Sequence, residues 1–577
     1  MRLSFLLASA ATAALLTGCT MTDQTLTDAA ATTPVATTSP QPPVAPRIDN
    51  EITQANRTRN DPYQWMKDDN WQEVMRDPTV LRADIRTYLE AENAYTKAVL
   101  EDPTTALRDE LFKEMRGRIK EDDSTVPEID GPYAYYTRYR QGGEYPIIAR
   151  RAAADAFNPD APETILLDGD AMGKGKDYFS FGGIDTSPDH KLVAYSTDTQ
   201  GSEFYQIHIQ DIETGAETAA VIDDAYGSFE WSANGQAIVW VHRDENARPD
   251  AVYQRNLATG EDTLLYEEKD PGFFVGVDKS ASEEVIFISA SGHTTSEVHW
   301  FKADELNPTL RTVAPRQTDN EYSVVHWDGQ FYISTNLDGA VDFKVMKAPM
   351  DATSRDQWEE VIPHRPGTLL LGMQPQKDYL SRMERENGLP RIVVRARADG
   401  AEHAISFDEA AYDLGLDSGY DYNTPILRFD YASPTTPDQV IDYDLATRER
   451  TLRKTREVPS GHNPDDYVSE RVMAPSWDGE LVPVTLLRRK DTPVDGTAPL
   501  LLYGYGSASA SSIAASSMPS STRAARWPRA INGISTASSR RRPTRSRTIS
   551  RPATTWSTRA TRRRASSSAM AARQAAC

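Results

Sequence analysis

Hydrolysis of an acyl bond by a serine needs a hydroxyl on a tight turn, an imidazole to take its proton, and a carboxylate to hold that imidazole in one tautomer. No Gly-x-Ser-x-Gly turn occurs anywhere in the 577 residues of this chain. Its nine histidines run from His190 to His462, and each reads most simply as a surface or packing residue. The run Pro499-Leu500-Leu501-Leu502-Tyr503-Gly504-Tyr505-Gly506-Ser507 has the pattern of a buried strand entering a glycine-rich turn, where Tyr505 on its own reads as a turn tyrosine packing its ring. Past that turn, residues 508–577 hold 14 Arg and no Lys, Asp, Glu or His, so neither a base nor an orienting carboxylate lies on that side.

One thiol has a chemical context. Arg2 gives a short basic region, Leu3 to Leu16 an apolar stretch too short to span a membrane, and Leu16-Thr17-Gly18-Cys19 sets small residues before a cysteine. The arrangement resembles the bacterial lipobox, in which cleavage precedes the cysteine and lipid is attached to it; an ordinary secretory signal with an incidental cysteine is the alternative. Residues 1–19 are thus expected to be a lipoprotein signal peptide, lipidated at Cys19, and residues 20–50 a flexible tether rich in Thr, Ala and Pro. That places the protein on the periplasmic face of a bacterial envelope, anchored by lipid, with the outer membrane as the expected site. Cys577 is the only other cysteine, so no internal disulfide is expected after lipidation. No motif asks for a metal or a cofactor.

The net charge of −22 is unevenly spread, because the tail adds 14 positive charges and leaves −36 on residues 1–507. An acidic body disfavours nucleic acid and attracts cationic substrates, although such a surface also serves solubility alone. The tail arginines lack interleaved aromatics beyond Trp527 and Trp556, which argues against a nucleic-acid arm.

The elements that would position any site fall into three stretches. Residues 51–124 are helical in pattern: Leu81, Ile85, Tyr88, Ala91, Tyr95 and Val99 share one face, Leu107, Leu111, Met115 and Ile119 another, and Pro103 separates the two. From residue 125 to 455 the period becomes two, and short strands recur near Tyr135, Leu192, Ala237, Val285, Phe331, Tyr379 and Leu427, at intervals close to one propeller blade after the first. Turn signals such as Trp327-Asp328-Gly329 keep the same beat. Seven such units predict a mainly β protein built on a seven-bladed β-propeller. Residues 456–507 suggest three more strands, around Tyr467 to Ala474, Leu481 to Arg488 and Leu500 to Tyr505, with a hairpin at Asp478-Gly479 and the start of an α/β domain. The 508–577 tail shows no strand or helix period and is expected to be disordered.

Asp61-Pro62-Tyr63-Gln64-Trp65-Met66 before the helices, Gly117-Arg118-Ile119-Lys120-Glu121-Asp122-Asp123 before the repeat, and Leu502-Tyr503-Gly504-Tyr505-Gly506 after it resemble the prolyl oligopeptidase family of serine peptidases. Trp358-Glu359-Glu360-Val361-Ile362-Pro363-His364, Asn387-Gly388-Leu389-Pro390-Arg391 and Asp466-Tyr467-Val468-Ser469-Glu470-Arg471 are most like its oligopeptidase B branch. The resemblance covers residues 55–507. It implies a propeller that restricts entry to short peptides, capping an α/β-hydrolase domain with a Ser-Asp-His triad, and cleavage after Arg or Lys. Short basic peptides are therefore the expected partners. Tyr505 matches the family tyrosine whose hydroxyl helps form the oxyanion hole, a donor that meets charge developing in the transition state.

Family order places Ser, Asp and His after the Tyr-Gly-Tyr-Gly run, where none can be assigned in this chain. The codons of the tail suggest why. Shifted in frame, those of Met570 to Cys577 permit Gly-Gly-Ser-Ala-Gly-Gly, those of Ala565 to Ser568 an apolar strand, and those of Ile531 to Ala537 the sequence Gln-Trp-Tyr-x-Asp-Gly. The tail is expected to be the product of a frameshift that removes the catalytic part. The competing reading is a non-catalytic propeller lipoprotein that binds peptides or envelope partners.

Overall fold

All seven strands picked out by the recurring interval are present in the computed structural model, which describes residues 39–417, 421–476, 478–503 and the backbone of Ile513–Ser517. They are Tyr133–Arg138, Leu192–Asp198, Ala237–Arg243, Val285–Ser291, Gln330–Thr335, Tyr379–Glu386 and Ile426–Ala432. Each is hydrogen-bonded to a neighbour on both sides; Leu192–Asp198, Ala237–Arg243 and Val285–Ser291 are buried over most of their length, whereas Tyr379–Glu386 also carries Arg382, Glu384, Arg385 and Glu386.

Their grouping corrects the expected seven blades. Five four-stranded antiparallel blades form, from residues 128–168, 274–314, 322–362, 368–405 and 413–455. The chain from Ser180 to Glu267 instead makes one continuous seven-stranded sheet, so Leu192–Asp198 and Ala237–Arg243 share a sheet. The cause is the ten-residue strand Ile222–Trp231. Its first half pairs with Tyr205–Asp211 and its second half with Ala237–Arg243, with a register shift between Ala225 and Phe229. A bulge of this kind bends a strand without ending it. The propeller is therefore five-bladed in its separate four-stranded sheets, not seven-bladed.

The core lies between neighbouring sheets rather than within any one of them. Val285, Phe287 and Trp300 of one blade pack with Phe331, Ile333 and Trp358 of the next. Met383, Ile392 and Val394 pack likewise with Leu427, Phe429 and Tyr431. Polar atoms are matched across the same gaps: the buried Trp327 donates its Nε1–H to the carbonyl of Gln376 at 2.7 Å. Tight turns close the hairpins, as at Asp328-Gly329, where φ values of 53° and 68° give the left-handed pair such turns require.

The chain divides into two compact units, residues up to 66 with 83–103, and residues 67–82 with 104 onward. In the first, the segment expected to be helical opens with a hairpin of Glu51–Gln54 and Arg57–Asn60. The indole of Trp65 packs edge-on to Tyr88 of the helix Ala83–Thr96. Pro103 does not interrupt the chain's helical path as expected. A π-helical segment Lys97–Glu101 runs directly into the helix Asp102–Arg116, with Pro103 in that helix's first turn, where proline is best tolerated.

The second unit ends in a four-stranded sheet. Tyr467–Pro475 and Leu481–Arg489 form the predicted hairpin, with Pro475 opposite Leu481 and Gly479 at φ 90° in the turn. Ile513–Ser517 adds in parallel to Leu481–Arg489 and antiparallel to Leu501–Tyr503. That strand corrects the expectation of a tail without regular structure at these five residues; the other tail residues lie outside those described. Among the described residues no α-helix follows Gly169–Gly173, so the helical layer of an α/β domain is not seen.

Candidate functional site

Tyr505 and Cys19 both lie outside the described residues, the former two positions past Tyr503 at the end of the strand Leu501–Tyr503. Two stretches that pointed to the same branch meet here. The Arg471 guanidinium, on the strand Tyr467–Pro475, donates to the carbonyl of Asn387, in the hairpin turn of the 368–405 blade. A Cβ on Gly388 would come within 2.8 Å of Arg471 Nη2, so the glycine supplies both the positive φ of 74° and the room for that arginine. In the same motif Arg391 donates to Glu384 at 2.7 Å and also pairs with Glu386. The blade and the terminal sheet are thus joined by a bond between motif residues.

The partners of the histidines bear on whether any could act as a base. His242 faces Asp250 at 2.8 Å, His208 faces Glu217 at 2.9 Å, and His462 stacks on Tyr467 while meeting the carbonyl of Thr435 at 2.7 Å. Of these, His208 meets a hydroxyl on its other ring nitrogen, Thr197 Oγ1 at 3.4 Å, a long contact from a residue within the strand Leu192–Asp198 and not on a tight turn. Only two imidazoles described here meet an aliphatic hydroxyl within 3.0 Å. Ser282 Oγ lies 2.7 Å from His326 Nδ1, but His326 Nε2 is buried with no partner. No carboxylate therefore orients that ring, and the pair lacks the third member a triad needs. Thr312 Oγ1 lies 3.0 Å from His299 Nδ1 and Glu297 3.1 Å from Nε2, without hydrogen-bond alignment at the carboxylate. Glu297 also accepts the Arg316 backbone N–H at 2.7 Å. This is a cross-strand polar cluster on a blade, with no elbow and no oxyanion donors. Among the described residues, no triad is assembled.

Charge gathers where the sheets converge. Asp130, Asp185, Glu230, Glu283 and Asp421 come from the 128–168 blade, the seven-stranded sheet, the turn 280–284 and the loop before Ile426, yet they and Lys279 act on one another electrostatically. Burial pushes the Asp185 carboxyl up to about 6 and the Glu230 carboxyl up to about 8, against the pull of Lys279. The strand alternation predicted none of these residues. A carboxylate at a polar position of a strand reads as solvent-facing, and only the convergence of separate sheets crowds it. The result is a half-buried cluster of carboxyls around Lys279 in which Asp185 and Glu230 are pushed toward the neutral form. Among the described residues no cluster of His, Cys, Asp and Glu has the arrangement of a metal site.

The sequence model of the prolyl oligopeptidase N-terminal beta-propeller domain matches residues 43–456. The chain belongs to the prolyl oligopeptidase family. It is 37% identical over 469 residues to dipeptidyl aminopeptidase BI of Pseudoxanthomonas mexicana, covering 78% of this chain and 63% of that protein. It is 31% identical over 470 residues to protease 2 of Moraxella lacunata, covering 81% of this chain and 66% of that one. Oligopeptidase B from Leishmania major superposes with a TM-score of 0.76 at 27% identity, over 83% of this chain and 71% of the other. The chain spans somewhat less than two thirds of the curated relatives it matches. Prolyl oligopeptidases are serine peptidases, and the matched residues are those of the propeller and the segments flanking it.

Proposed function

We propose that this chain supplies the propeller and the first sheet strands of a serine oligopeptidase that cleaves short peptides after Arg or Lys, and that the 577 residues as they stand do not catalyse the reaction. The reading is supported by the propeller-family match over residues 43–456 and the structural likeness to oligopeptidase B, with a net charge of −36 on residues 1–507 that favours cationic peptides. The triad chemistry falls to residues beyond the Tyr-Gly-Tyr-Gly turn, with Tyr505 as oxyanion donor. Short basic peptides are the ligands in this reading, and nucleic acid is not. Binding is tested by titrating a fluorescent arginine-rich hexapeptide against an isosteric peptide with citrulline in place of arginine. Affinity for the first should fall with salt and be absent for the second; equal affinities would refute the charge argument.

A second reading follows from the relative named dipeptidyl aminopeptidase BI: release of dipeptides from a free amino terminus. Comparing blocked with unblocked arginine substrates on a chain with an intact catalytic part separates the two. If neither is hydrolysed while peptides still bind, the non-catalytic propeller lipoprotein is the better description.

Anchoring is the remaining part of the proposal, motivated by Leu16-Thr17-Gly18-Cys19. Cys19→Ser should move the protein from the membrane pellet to the soluble fraction and abolish labelling by an alkyne fatty acid. Unlabelled wild-type protein would rule out lipidation.

A further inference from the structure

Asn-Gly pairs occur at 234, 387 and 532; the first two lie among the described residues, and the fold treats them differently. At Asn234-Gly235 the polar groups are held. Asn234 Oδ1 accepts from Ser232 Oγ at 2.8 Å and from the Gln236 N–H at 3.0 Å, and its Nδ2 donates to the carbonyl of Asp304 at 3.0 Å. The Gly235 N–H donates to the carbonyl of Ser232 at 2.9 Å. Asn387-Gly388, the two-residue turn between Glu386 and its partner Leu389, is exposed. Neither its side-chain amide nor the Gly388 N–H is hydrogen-bonded among the described residues. What it has instead is a cation. Arg471 is half-buried, pairs with no carboxylate among the described residues, and donates from Nη2 to the Asn387 carbonyl, the oxygen of the same peptide whose nitrogen belongs to Gly388.

We propose that Asn387 is a self-modifying site at which Arg471 promotes conversion of the asparagine to isoaspartate. The Gly388 nitrogen gives up its proton and attacks Asn387 Cγ; the N–Cγ bond forms, the Cγ–Nδ2 bond breaks, and ammonia leaves with the proton. Attack needs a deprotonated peptide nitrogen, whose negative charge is shared with the Asn387 carbonyl oxygen. The guanidinium already donates to that oxygen, so it stabilises charge where charge develops. Gly388 has no Cβ to obstruct the approach. Water then opens the cyclic imide. Addition at Cγ gives aspartate; addition at the original backbone carbonyl, the one Arg471 polarises, gives isoaspartate and frees an α-carboxylate beside the guanidinium. The product thus supplies the counter-charge that Arg471 lacks. It also adds a backbone carbon to a turn of two residues, at the bond joining the blade to the terminal sheet. The inference rests on the turn alone and does not depend on the peptidase reading.

Incubation of the folded chain in mildly alkaline buffer tests it, with peptide mapping by mass spectrometry and fragmentation that tells isoaspartate from aspartate. Asn387 should convert at least about tenfold faster than Asn234, and in urea, where both turns are lost, the two rates should come together. Arg471→Met should slow conversion of Asn387 about tenfold and lower its isoaspartate share, with Arg471→Lys restoring part of both. An Asn387 that stays intact in the folded chain, or converts no faster than Asn234, would overturn the proposal. So would an unchanged rate and share in Arg471→Met. Should Arg471→Met fail to fold, the unaltered chain decides: an isoaspartate share at Asn387 higher when folded than in urea supports the role of Arg471, and an equal share sinks it.

Discussion

Incubated with a blocked fluorogenic arginine peptide, the 577-residue chain releases no fluorophore above buffer, whereas the same chain rewritten in the shifted frame after Ser507 hydrolyses it and is silenced by a serine-directed covalent inhibitor. The first half follows from partners already counted. His326, beside Ser282, has no carboxylate on its second ring nitrogen, and the Thr312, His299 and Glu297 group lacks both alignment and oxyanion donors. Losing triad members lowers turnover by about four to six orders of magnitude, which puts any residual rate beneath ordinary detection. The second half rests on the family assignment and on the Gly-Gly-Ser-Ala-Gly-Gly sequence that the shifted codons permit. Inhibitor-sensitive turnover by the chain as it stands would refute the account of its tail. A well-folded but inert rewritten chain would refute the substrate assignment.

Glu384→Ala should destabilise the protein by about 3–5 kcal/mol, the largest single-residue effect expected in the propeller. Glu384 is 3% exposed and Arg382 2% exposed. Its two oxygens take Arg382 Nε at 2.6 Å, Arg391 Nε at 2.7 Å and Arg365 Nη2 at 2.8 Å. Arg382 also forks onto Glu402 at 2.9 and 2.7 Å. Removing Glu384 leaves buried guanidinium groups short of a counter-charge, whereas Arg382→Met with Glu384→Leu removes both charges and should lose far less. Burial alone would raise the Glu384 carboxyl, but its arginines more than offset this and hold it below the ordinary range. Its contribution is therefore complete above the ordinary carboxylate pKa and is lost as pH falls through the lowered one. Urea midpoints of the three proteins at neutral and acidic pH measure both effects. A Glu384→Ala midpoint equal to wild type at neutral pH would show that the network is not closed in solution.

Leu192–Asp198 and Val285–Ser291 were legible as strands from composition, because apolar residues face both sides of their sheets. Sheet membership was not legible in the same way. Ile222–Trp231 carries Asp223, Asp224 and Gly227, the last at φ 109°, which locally read as a turn. Its continuity depends on Tyr205–Asp211 and Ala237–Arg243 holding its two halves, a tertiary effect that overrides local preference. The turn at Asn387-Gly388 was legible as family sequence, but its role as a seat for Arg471 needed the fold. Asp185 and Glu230 left no mark in the sequence, since their surroundings are set by sheets distant along the chain.

The continuous sheet from Ser180 to Glu267 also limits how this chain can be rearranged. New termini opened by circular permutation at Asp328-Gly329 would break one hairpin connection inside one four-stranded sheet and leave every ladder intact. Termini placed between Ile222 and Trp231 would sever the strand that carries both neighbours, splitting seven strands into fragments with two raw edges. Duplication or loss of a repeat is likewise open to the four-stranded sheets and closed to this one, whose halves have no boundary at which to exchange. Residues 180–267 would therefore have to be moved as a single piece.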